Sequence, residues 1–323
     1  MSDLRDNLPP LPEFSRLSDR VHRVLGLNPS AFTLQGTNTY LVGRGNRKIL
    51  IDCGQGEASY VPLLQDSLKQ ISPDAYISDI LLTHCHFDHW GGLPDIYAVD
   101  DSIPVHKFPH KPGSFEDTHF MDDFPSYVQL HDLHDGQIFE IDAETTLRVV
   151  HTPGHTSDHC TFYLEEEESL FTGDCILGHG TVTFDSLQVY LAGLRRLQTL
   201  EPQQLYPGHG DIVEDGMAKI EEYLEFRYQR ENEILQLILS DRTKAWTPLE
   251  IGTILRQKKP GNLQAAYLRG IALHLMKLED EGKIQMTEQI EVDQPDNTRI
   301  HMFDLIELLN KEWRYVESGR SRL

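Results

Sequence analysis

The chain has 323 residues, is 39% hydrophobic and carries a formal net charge of −22. This length and apolar content allow one large domain, or a large and a small one. The charge is uneven, because residues 1–215 hold 13 basic and 33 acidic residues whereas residues 216–323 hold 16 and 18. Such an acidic excess works against long-range attraction of nucleic acids and anionic membranes, which positive potential steers towards a protein.

The four cysteines, at positions 53, 85, 160 and 175, are too few and too scattered for a disulfide framework, which favours a reducing compartment. Residues 1–7 have the pattern of neither a secretory signal nor a transit peptide. No apolar run approaches the roughly 18 residues of a membrane helix. We therefore expect a soluble cytoplasmic protein without a membrane partner, with the mitochondrial matrix as the alternative. The oligomeric state stays open.

The first part of the chain has a pattern typical of short β-strands separated by turns. After a proline-containing lead-in, short apolar runs separated by glycines predict strands at 21–25, 40–42 and 49–51. Asp52 closes the third run, where a supporting role in a site and a plain turn are equally compatible with the pattern. A helix over 58–70 and a buried strand over 80–82 follow.

Three histidines and one aspartate then fall within six consecutive positions: His84, His86, Asp88 and His89. Imidazole and carboxylate are ligand types that suit zinc and similar divalent ions. The alternative is a chance cluster in a chain that holds 16 histidines. Because an ordinary turn has no particular use for histidine, we interpret the stretch as part of a metal site.

Further ligand-type residues follow later strands. Residues 99–137 are expected to form an irregular loop facing substrate, with its histidines at the surface. Strands at 138–141 and 147–150 lead to His155 on a Pro-Gly turn, and a hairpin of 160–164 and 170–172, with a solvated acidic tip at 165–168, leads to Asp174. A helix over 187–200 and a strand over 204–206 precede His209. Candidate ligands in four segments thus each follow a strand, as a metal site at one sheet edge requires.

The remainder of the chain is predicted to be mostly helical. A long helix over 217–239 is followed by a helix start at Thr247, with Glu250 three residues on, and by helices over 248–257 and 262–281. A short strand at 284–286 completes a winged-helix-like module. We expect a catalytic domain at 1–215, this module at 216–290 and an extension at 291–323 to which the sequence assigns no role.

The stretch Thr83-His84-Cys85-His86-Phe87-Asp88-His89 resembles the H-x-H-x-D-H signature of the metallo-β-lactamase fold superfamily. His155, Asp174 and His209 match the three later ligand positions of that superfamily in order, so the resemblance runs from about residue 33 to 209. The phrase at 32–40 and the helical module resemble LACTB2-type proteins and the fungal thioesterases that release polyketides from acyl carrier proteins. The resemblance implies an α/β fold, a four-layer αββα sandwich.

The resemblance also implies a pair of divalent metal ions, expected to be Zn²⁺. His84, His86 and His155 would hold the first ion, Asp88, His89 and His209 the second, and Asp174 would bridge them. Asp88 would also orient the attacking hydroxide, and Asp52 would fix a ligand histidine through its other ring nitrogen. Cys85 and Cys175 adjoin candidate ligands but are expected to pack. Zinc β-lactamases usually place a cysteine among the second-ion ligands where this chain has Asp174, which disfavours lactam cleavage.

Two activities fit this site. A thioester expels a thiol of pKa about 8.5, so attack by a metal-bound hydroxide needs no strong general acid. A phosphodiester expels an alkoxide that needs protonation or metal stabilisation. His179 could be such an acid or a substrate contact, or a loop histidine without a role. We favour hydrolysis of an acyl thioester, borne by an acyl carrier protein or a small molecule.

Cleavage of single-stranded RNA, as in LACTB2-type relatives, is the alternative activity. Basic residues of the C-terminal module would favour it, although they could equally form a solvated face. They are Arg256, Lys258, Lys259 and Arg269. A non-catalytic metal-binding scaffold is disfavoured because all seven ligand positions are filled.

Overall fold

The computed structural model describes residues 8–110, 119–255, 264–287 and 308–316. Within them, seven strands form a first sheet whose spatial order is the chain order. They are β1 (Phe14–Arg16), β2 (Val21–Leu25), β3 (Asn38–Val42), β4 (Arg47–Ile51), β5 (Tyr76–Leu82), β6 (Val105–Lys107) and β7 (Leu130–Asp132). β1 to β4 are antiparallel neighbours, and β4 to β7 are parallel ones. The change follows helix α1 (Tyr60–Ile71), which supplies the crossover that a parallel pair needs.

A second sheet of five strands has the spatial order β12-β11-β10-β9-β8. Its strands are β8 (Ile138–Asp142), β9 (Thr145–His151), β10 (Cys160–Leu164), β11 (Ser169–Gly173) and β12 (Gln204–Pro207). β8 to β11 are antiparallel neighbours, whereas β12 lies parallel to β11 after helix α4 (Leu187–Gln198). Parallel neighbours end at the same edge of a sheet, so the residues after β11 and β12 are brought side by side.

The two sheets pack face to face through one apolar cluster. Residues of the first sheet such as Tyr40, Ile49 and Leu81 meet Val149 and Phe162 of the second, all of them buried. Burial of each such side chain contributes on the order of 1.5–3 kcal/mol. Along a strand, residues that face inward alternate with residues that face outward. This alternation makes the individual strands of both sheets recognisable in the sequence.

A separate cluster covers the outer face of the first sheet. Leu50 and Leu82 pack there with Leu64 of α1, Trp90 of α2 (Phe87–Trp90) and Leu93 of α3 (Leu93–Tyr97). On the second sheet, the Tyr163 hydroxyl donates to the carbonyl of Leu200 just after α4. The architecture is the expected αββα sandwich.

Main-chain hydrogen bonds join the two sheets at one edge. The N–H of Cys160 donates to the carbonyl of Thr83 over 2.8 Å, and the N–H of Asn38 donates to the carbonyl of Gly208 over 2.7 Å. These bonds lie where strands of both sheets end. The loops that carry the candidate ligands are therefore held at one edge of the sandwich.

Two sequence expectations were wrong. The segment 99–137 is not wholly irregular, because it contains β6 and β7, whose three-residue length leaves no detectable alternation. The acidic tip of the β10–β11 hairpin is not merely solvated either. Glu165 forms an ion pair with Arg148 at 2.5 Å, and Glu167 forms one with Arg20 at 3.4 Å.

The described chain forms two compact units, one within Ser2–Val182 and Gly193–Ile220 and the other within Thr183–Ala192 and Glu221–Leu323. The boundaries predicted at 215 and 290 stay predictions. No helix among the described residues is both long and apolar enough to span a bilayer.

The second unit contains most of α5 (Gly216–Ser240), with α6 (Pro248–Leu255), α7 (Gln264–Asp280), β13 (Ile284–Met286) and β14 (Trp313–Tyr315). Thr247 caps α6, since its hydroxyl accepts the N–H of Glu250 while the Glu250 carboxylate accepts the N–H of Thr247. β13 and β14 are antiparallel, so the C-terminal extension supplies a partner strand. The winged-helix assignment stays a prediction, because residues 288–307 lie outside the described part.

Of the four basic residues considered for RNA, three lie outside the described residues: Arg256, Lys258 and Lys259. Arg269 donates to Asp185 Oδ1 over 2.7 Å and to the carbonyl of Phe184. Its charge is therefore already paired within the second unit.

A buried ion pair in the first unit links β6 to the start of β10. Lys107 Nζ lies 2.5 Å from Asp158 Oδ2, with side chains 2% and 0% exposed. Burial would raise the pKa of Asp158, but the charge of Lys107 outweighs it and lowers that pKa. The pair thus holds an ionised carboxylate in the interior.

We expect Lys107→Met to lower the free energy of unfolding by about 3–5 kcal/mol, because it leaves a buried carboxylate without its cation. Adding Asp158→Asn should recover most of the loss, since no buried charge then remains. Urea denaturation measures both. Lys69→Met is the matched control: its pair with Asp66 is about 70% exposed, so the change should stay below about 1 kcal/mol. Equal losses in the two single variants would contradict the role given to burial.

Candidate metal centre

The loop after β5 carries four of the candidate ligands. β5 is buried at its C-terminal end and delivers His84, which is fully buried, to the sheet edge. His86 has an extended backbone with φ −68° and ψ 141° and directly precedes α2. Asp88 and His89 follow inside that short helix. A strand end, one extended residue and a helical turn thus bring four side chains of one local segment to the edge.

One group of side chains combines this loop with two others: His84, His86, His155 and Asp174. One ligand atom from each lies within 4.8 Å of all the rest. His86 Nδ1 is 2.9 Å from His84 Nε2 and 3.0 Å from His155 Nε2. Three ring nitrogens that face one another at such distances form a donor set that suits a divalent cation.

The second group contains Asp88, His89 and His209, again with ligand atoms within 4.8 Å. His209 Nε2 lies 3.1 Å from Asp88 Oδ2, and His89 Nε2 lies 3.5 Å from the same oxygen. His89 and His209 are buried, whereas the Asp88 side chain is 22% exposed. Asp88 is thus the ligand candidate of this group that solvent reaches most readily.

Asp174 connects the two groups. Its Oδ1 lies 3.3 Å from His209 Nε2 and 3.5 Å from His89 Nε2, while its Oδ2 lies 3.6 Å from His155 Nε2. One carboxylate therefore presents an oxygen to each group.

Two buried atoms at the centre have no hydrogen-bond partner among the described residues. They are His89 Nε2 and Asp174 Oδ1. Buried polar atoms normally have hydrogen-bond partners, and a bound cation would satisfy these two instead. Divalent cations therefore fit this donor set.

The charges of the centre also favour cations. Burial lowers the pKa of His86 to about 4, with a further contribution from His155, so the ring is neutral at neutral pH and one of its nitrogens keeps a lone pair. Burial would lower the pKa of His209, but the nearby charges of Asp174 and Asp88 outweigh it and raise the value to about 10. The carboxylates of Asp174 and Asp88 therefore stabilise positive charge between them. Binding of a metal ion here would displace protons from the histidines.

Asp52 and Thr83 set the ring orientation of two ligand candidates. His89 Nδ1 donates to Asp52 Oδ2 over 2.7 Å, and the Thr83 hydroxyl donates to the same oxygen over 2.9 Å. The Thr83 hydroxyl donates its single hydrogen to Asp52, so it can only accept the hydrogen of His84 Nδ1, which lies 2.9 Å away. In their neutral forms both rings therefore carry the hydrogen on Nδ1 and present Nε2, which can bind a cation, to the centre. A contact between Asp52 and a candidate ligand histidine is what the family resemblance implied.

Other residues singled out in the sequence belong to neither group. His179 is exposed, and its neighbour Gly178 donates its N–H to the carbonyl of His209 over 2.9 Å. Cys85 and Cys175 are buried, and burial, with the charge of Asp174, raises the pKa of Cys175 to about 12. The loop histidines at 106, 110, 119, 131 and 134 also lie outside both groups.

Three polar residues near the centre were not foreseen. Thr37 donates its hydroxyl to Asp88 Oδ2 over 3.4 Å, while Asn28 donates to Thr37 Oγ1. His159 is buried and accepts the backbone N–H of Asp174 at its Nε2 over 3.1 Å. The spacing of four residues from His155 was the available signal for His159, but spacing alone does not distinguish a ligand from a supporting residue.

The family model described as "Metallo-beta-lactamase superfamily" matches residues 32–209. A "Beta-lactamase-like protein 2 homolog" of Drosophila melanogaster is 40% identical over 282 residues, which are 86% of this chain and 94% of that protein. An "Atrochrysone carboxyl ACP thioesterase" of Cryptosporiopsis sp. is 38% identical over 231 residues, 72% of this chain and 66% of the relative.

A solved beta-lactamase domain protein from Burkholderia ambifaria has a TM-score of 0.72 at 18% identity, covering 98% of this chain and 99% of its own. That likeness shows the fold. The superfamily match and the histidine–aspartate cluster together imply bound divalent metal ions. The chain belongs to the metallo-beta-lactamase superfamily and is a metal-dependent hydrolase.

Proposed function

We propose that the chain is a binuclear hydrolase that cleaves acyl thioesters, presented by an acyl carrier protein or by a small molecule. The observation that carries the proposal is the position of Asp174, whose two carboxylate oxygens lie within 3.3–3.6 Å of imidazole nitrogens from both groups. A carboxylate shared in this way is what two neighbouring cations need.

In this proposal His84, His86 and His155 hold one ion, Asp88, His89 and His209 hold the other, and Asp174 is shared. The nitrogen-rich donor sets suit Zn²⁺. When bound, such ions polarise a carbonyl and make water nucleophilic at neutral pH. The chain's own residues provide the ring tautomers, through Asp52 and Thr83, and the positions of the carboxylates.

Asp88 has a role beyond holding charge. Its Oδ2 faces His209 and accepts the hydroxyl of Thr37, and its side chain is partly open to solvent. A carboxylate held in this way accepts a hydrogen bond from the attacking water and orients it towards the carbonyl carbon.

The leaving group favours a thioester. A thiol departs as a thiolate of pKa about 8.5 without needing a strong acid. In addition, two buried cations of the first unit have internal partners. Arg23 pairs with Asp211 at 3.0 Å, and Lys107 pairs with Asp158. Paired cations are poor contacts for a chain of phosphates, which supports an acyl substrate over a nucleic acid.

Cleavage of single-stranded RNA is the second candidate. This activity is the one that the resemblance to LACTB2-type proteins implies. The extent of the similarity favours it, since the beta-lactamase-like protein 2 homolog aligns with 86% of this chain and the thioesterase with 72%. The longer alignment includes more of the sequence outside the sandwich.

A side-by-side assay of the metal-loaded protein on an acyl-pantetheine thioester and a single-stranded RNA tests the proposal. We expect thioester hydrolysis. Asp174→Ala should lose bound metal and lower activity by about 100-fold or more, because one carboxylate serves both ions. Asp101→Ala, at an exposed carboxylate outside both groups, is the control. RNA cleavage without thioester hydrolysis would replace the first candidate by the second.

Asp52→Asn tests the orientation of His89. The amide keeps the size of the carboxylate, but one of its two oxygens becomes an NH2 donor. At the Oδ2 position this donor faces both His89 Nδ1 and the Thr83 hydroxyl, and at the Oδ1 position it faces the N–H of Thr83, so either placement loses an acceptor. We expect metal affinity to fall by about 10–100-fold, measured by Zn²⁺ titration against a chelator. Unchanged affinity would show that the ring does not need this partner.

His179→Ala separates the two candidate activities. A phosphodiester needs help for its alkoxide leaving group, so loss of an acid at His179 should lower RNA cleavage by about 100-fold. Thioester hydrolysis should change less than about threefold, because the thiol needs no such help. Initial rates on both substrates at equal metal loading measure the difference, and a larger loss on the thioester would contradict this assignment.

A further inference from the structure

A fourth imidazole lies beside the three of the first group, but it is not one of the proposed ligands. His159 is fully buried in the loop between β9 and β10, one residue before β10. Its ring centroid lies 5.1 Å from that of His84 and 5.9 Å from that of His155. It belongs to neither group of ligand atoms. A buried histidine this close to a cluster of ligands requires an explanation.

Both ring nitrogens of His159 are engaged. The backbone N–H of Asp174 donates to Nε2 over 3.1 Å, and Nδ1 lies 3.0 Å from the hydroxyl oxygen of Thr152. A backbone amide can only donate, so Nε2 is unprotonated and Nδ1 carries the hydrogen, which Thr152 Oγ1 accepts. The ring therefore has no lone pair left for a metal ion.

The backbone before Asp174 is pressed against this ring. Gly173 has φ +48°, and a Cβ at that position would lie 2.8 Å from His159 Nε2. On the other side, a Cβ on Gly208 would lie 2.8 Å from Asp174 Oδ1. The N–H of Gly208 also donates to the carbonyl of Gly173 over 2.8 Å. Asp174 is thus held between an imidazole and a glycine, at a contact that tolerates no additional atom.

We propose that His159 is a positioning residue that acts through the backbone of Asp174. Its Nε2 anchors the Asp174 N–H, and this anchor holds the carboxylate where its two oxygens face both groups. The inference rests on the proposed function in taking Asp174 as the shared ligand. It assigns a role in metal binding to a residue that is itself not a ligand.

Removal and replacement of the acceptor test this role. His159→Leu keeps an apolar filling but removes the acceptor, whereas His159→Gln offers an amide oxygen in the place of Nε2. Titration of the metal-free full chain with Zn²⁺ against a chelator should show affinity about 10–100-fold weaker for the leucine variant. The glutamine variant should stay within about threefold of the wild type. Wild-type affinity in the leucine variant, or equal weakening in both, would overturn the proposal.

Two further variants separate positioning from general stability. His22→Leu removes another buried histidine, on β2 and outside both groups, and should leave Zn²⁺ affinity unchanged even if thermal stability falls. Thr152→Val keeps the ring but removes the acceptor that fixes its tautomer, and should weaken affinity about 3–10-fold. If His159→Leu fails to fold, Thr152→Val decides: weaker binding supports the proposal and unchanged binding overturns it.

The readout is independent of the substrate. If neither a thioester nor RNA is cleaved while the affinities follow the expected order, the proposed activity fails and the role of His159 stands. If thioester hydrolysis is found and all variants bind Zn²⁺ equally, the activity stands and the role of His159 fails.

Discussion

The position of one carboxylate governs the centre of this protein. Asp174 is buried between imidazoles of two groups, and its ionised form needs positive charge on both sides. Its surroundings leave it little freedom, because Gly173 and Gly208 bring main chain into contact with it and His159 accepts its N–H. Displacement of this one residue would disturb both groups together.

The sandwich makes this arrangement possible by ending strands of both sheets at one edge. Asp174 follows β11 and His209 follows β12, and these strands are parallel neighbours. Asp52 and His84 likewise follow β4 and β5, a parallel pair in the other sheet. The bond from the Cys160 N–H to the Thr83 carbonyl ties the sheets together beside the ligands. Rigid backbone at strand ends positions ligands more precisely than long loops would.

The acidic character of the chain is compatible with this chemistry. Carboxylates belong to both groups, and a further carboxylate, that of Asp52, accepts a hydrogen bond from His89. This concentrated negative charge attracts cations to the metal-free protein. Bound divalent ions would reverse the local sign and draw in a polarised carbonyl or an anionic group. The net charge therefore indicates the sign of the electrostatic potential in the metal-free protein, and not at the metal-loaded site.

Local patterns in the sequence were sufficient for much of the fold and for the ligand candidates. The His84–His89 cluster is contiguous, and the alternation or helical spacing of the strands and longer helices reflects one buried face, which neighbouring residues reveal by themselves. The resemblance to the superfamily rested on these residues together with His155, Asp174 and His209, and the family model that matches residues 32–209 confirmed it. The short strands β6 and β7 gave no such signal, because three residues contain too little alternation.

Only the tertiary structure identified the residues whose roles depend on a distant partner. Lys107 resembles a surface residue until Asp158 is placed 2.5 Å away, and His159 resembles a further ligand until the N–H of Asp174 occupies its nitrogen. Likewise, only the tertiary structure reveals that Asn28 donates to Thr37 and that Thr37 donates to Asp88. A sequence records which groups can donate or accept, whereas the pairing of buried groups is decided when strands far apart in the chain are packed together.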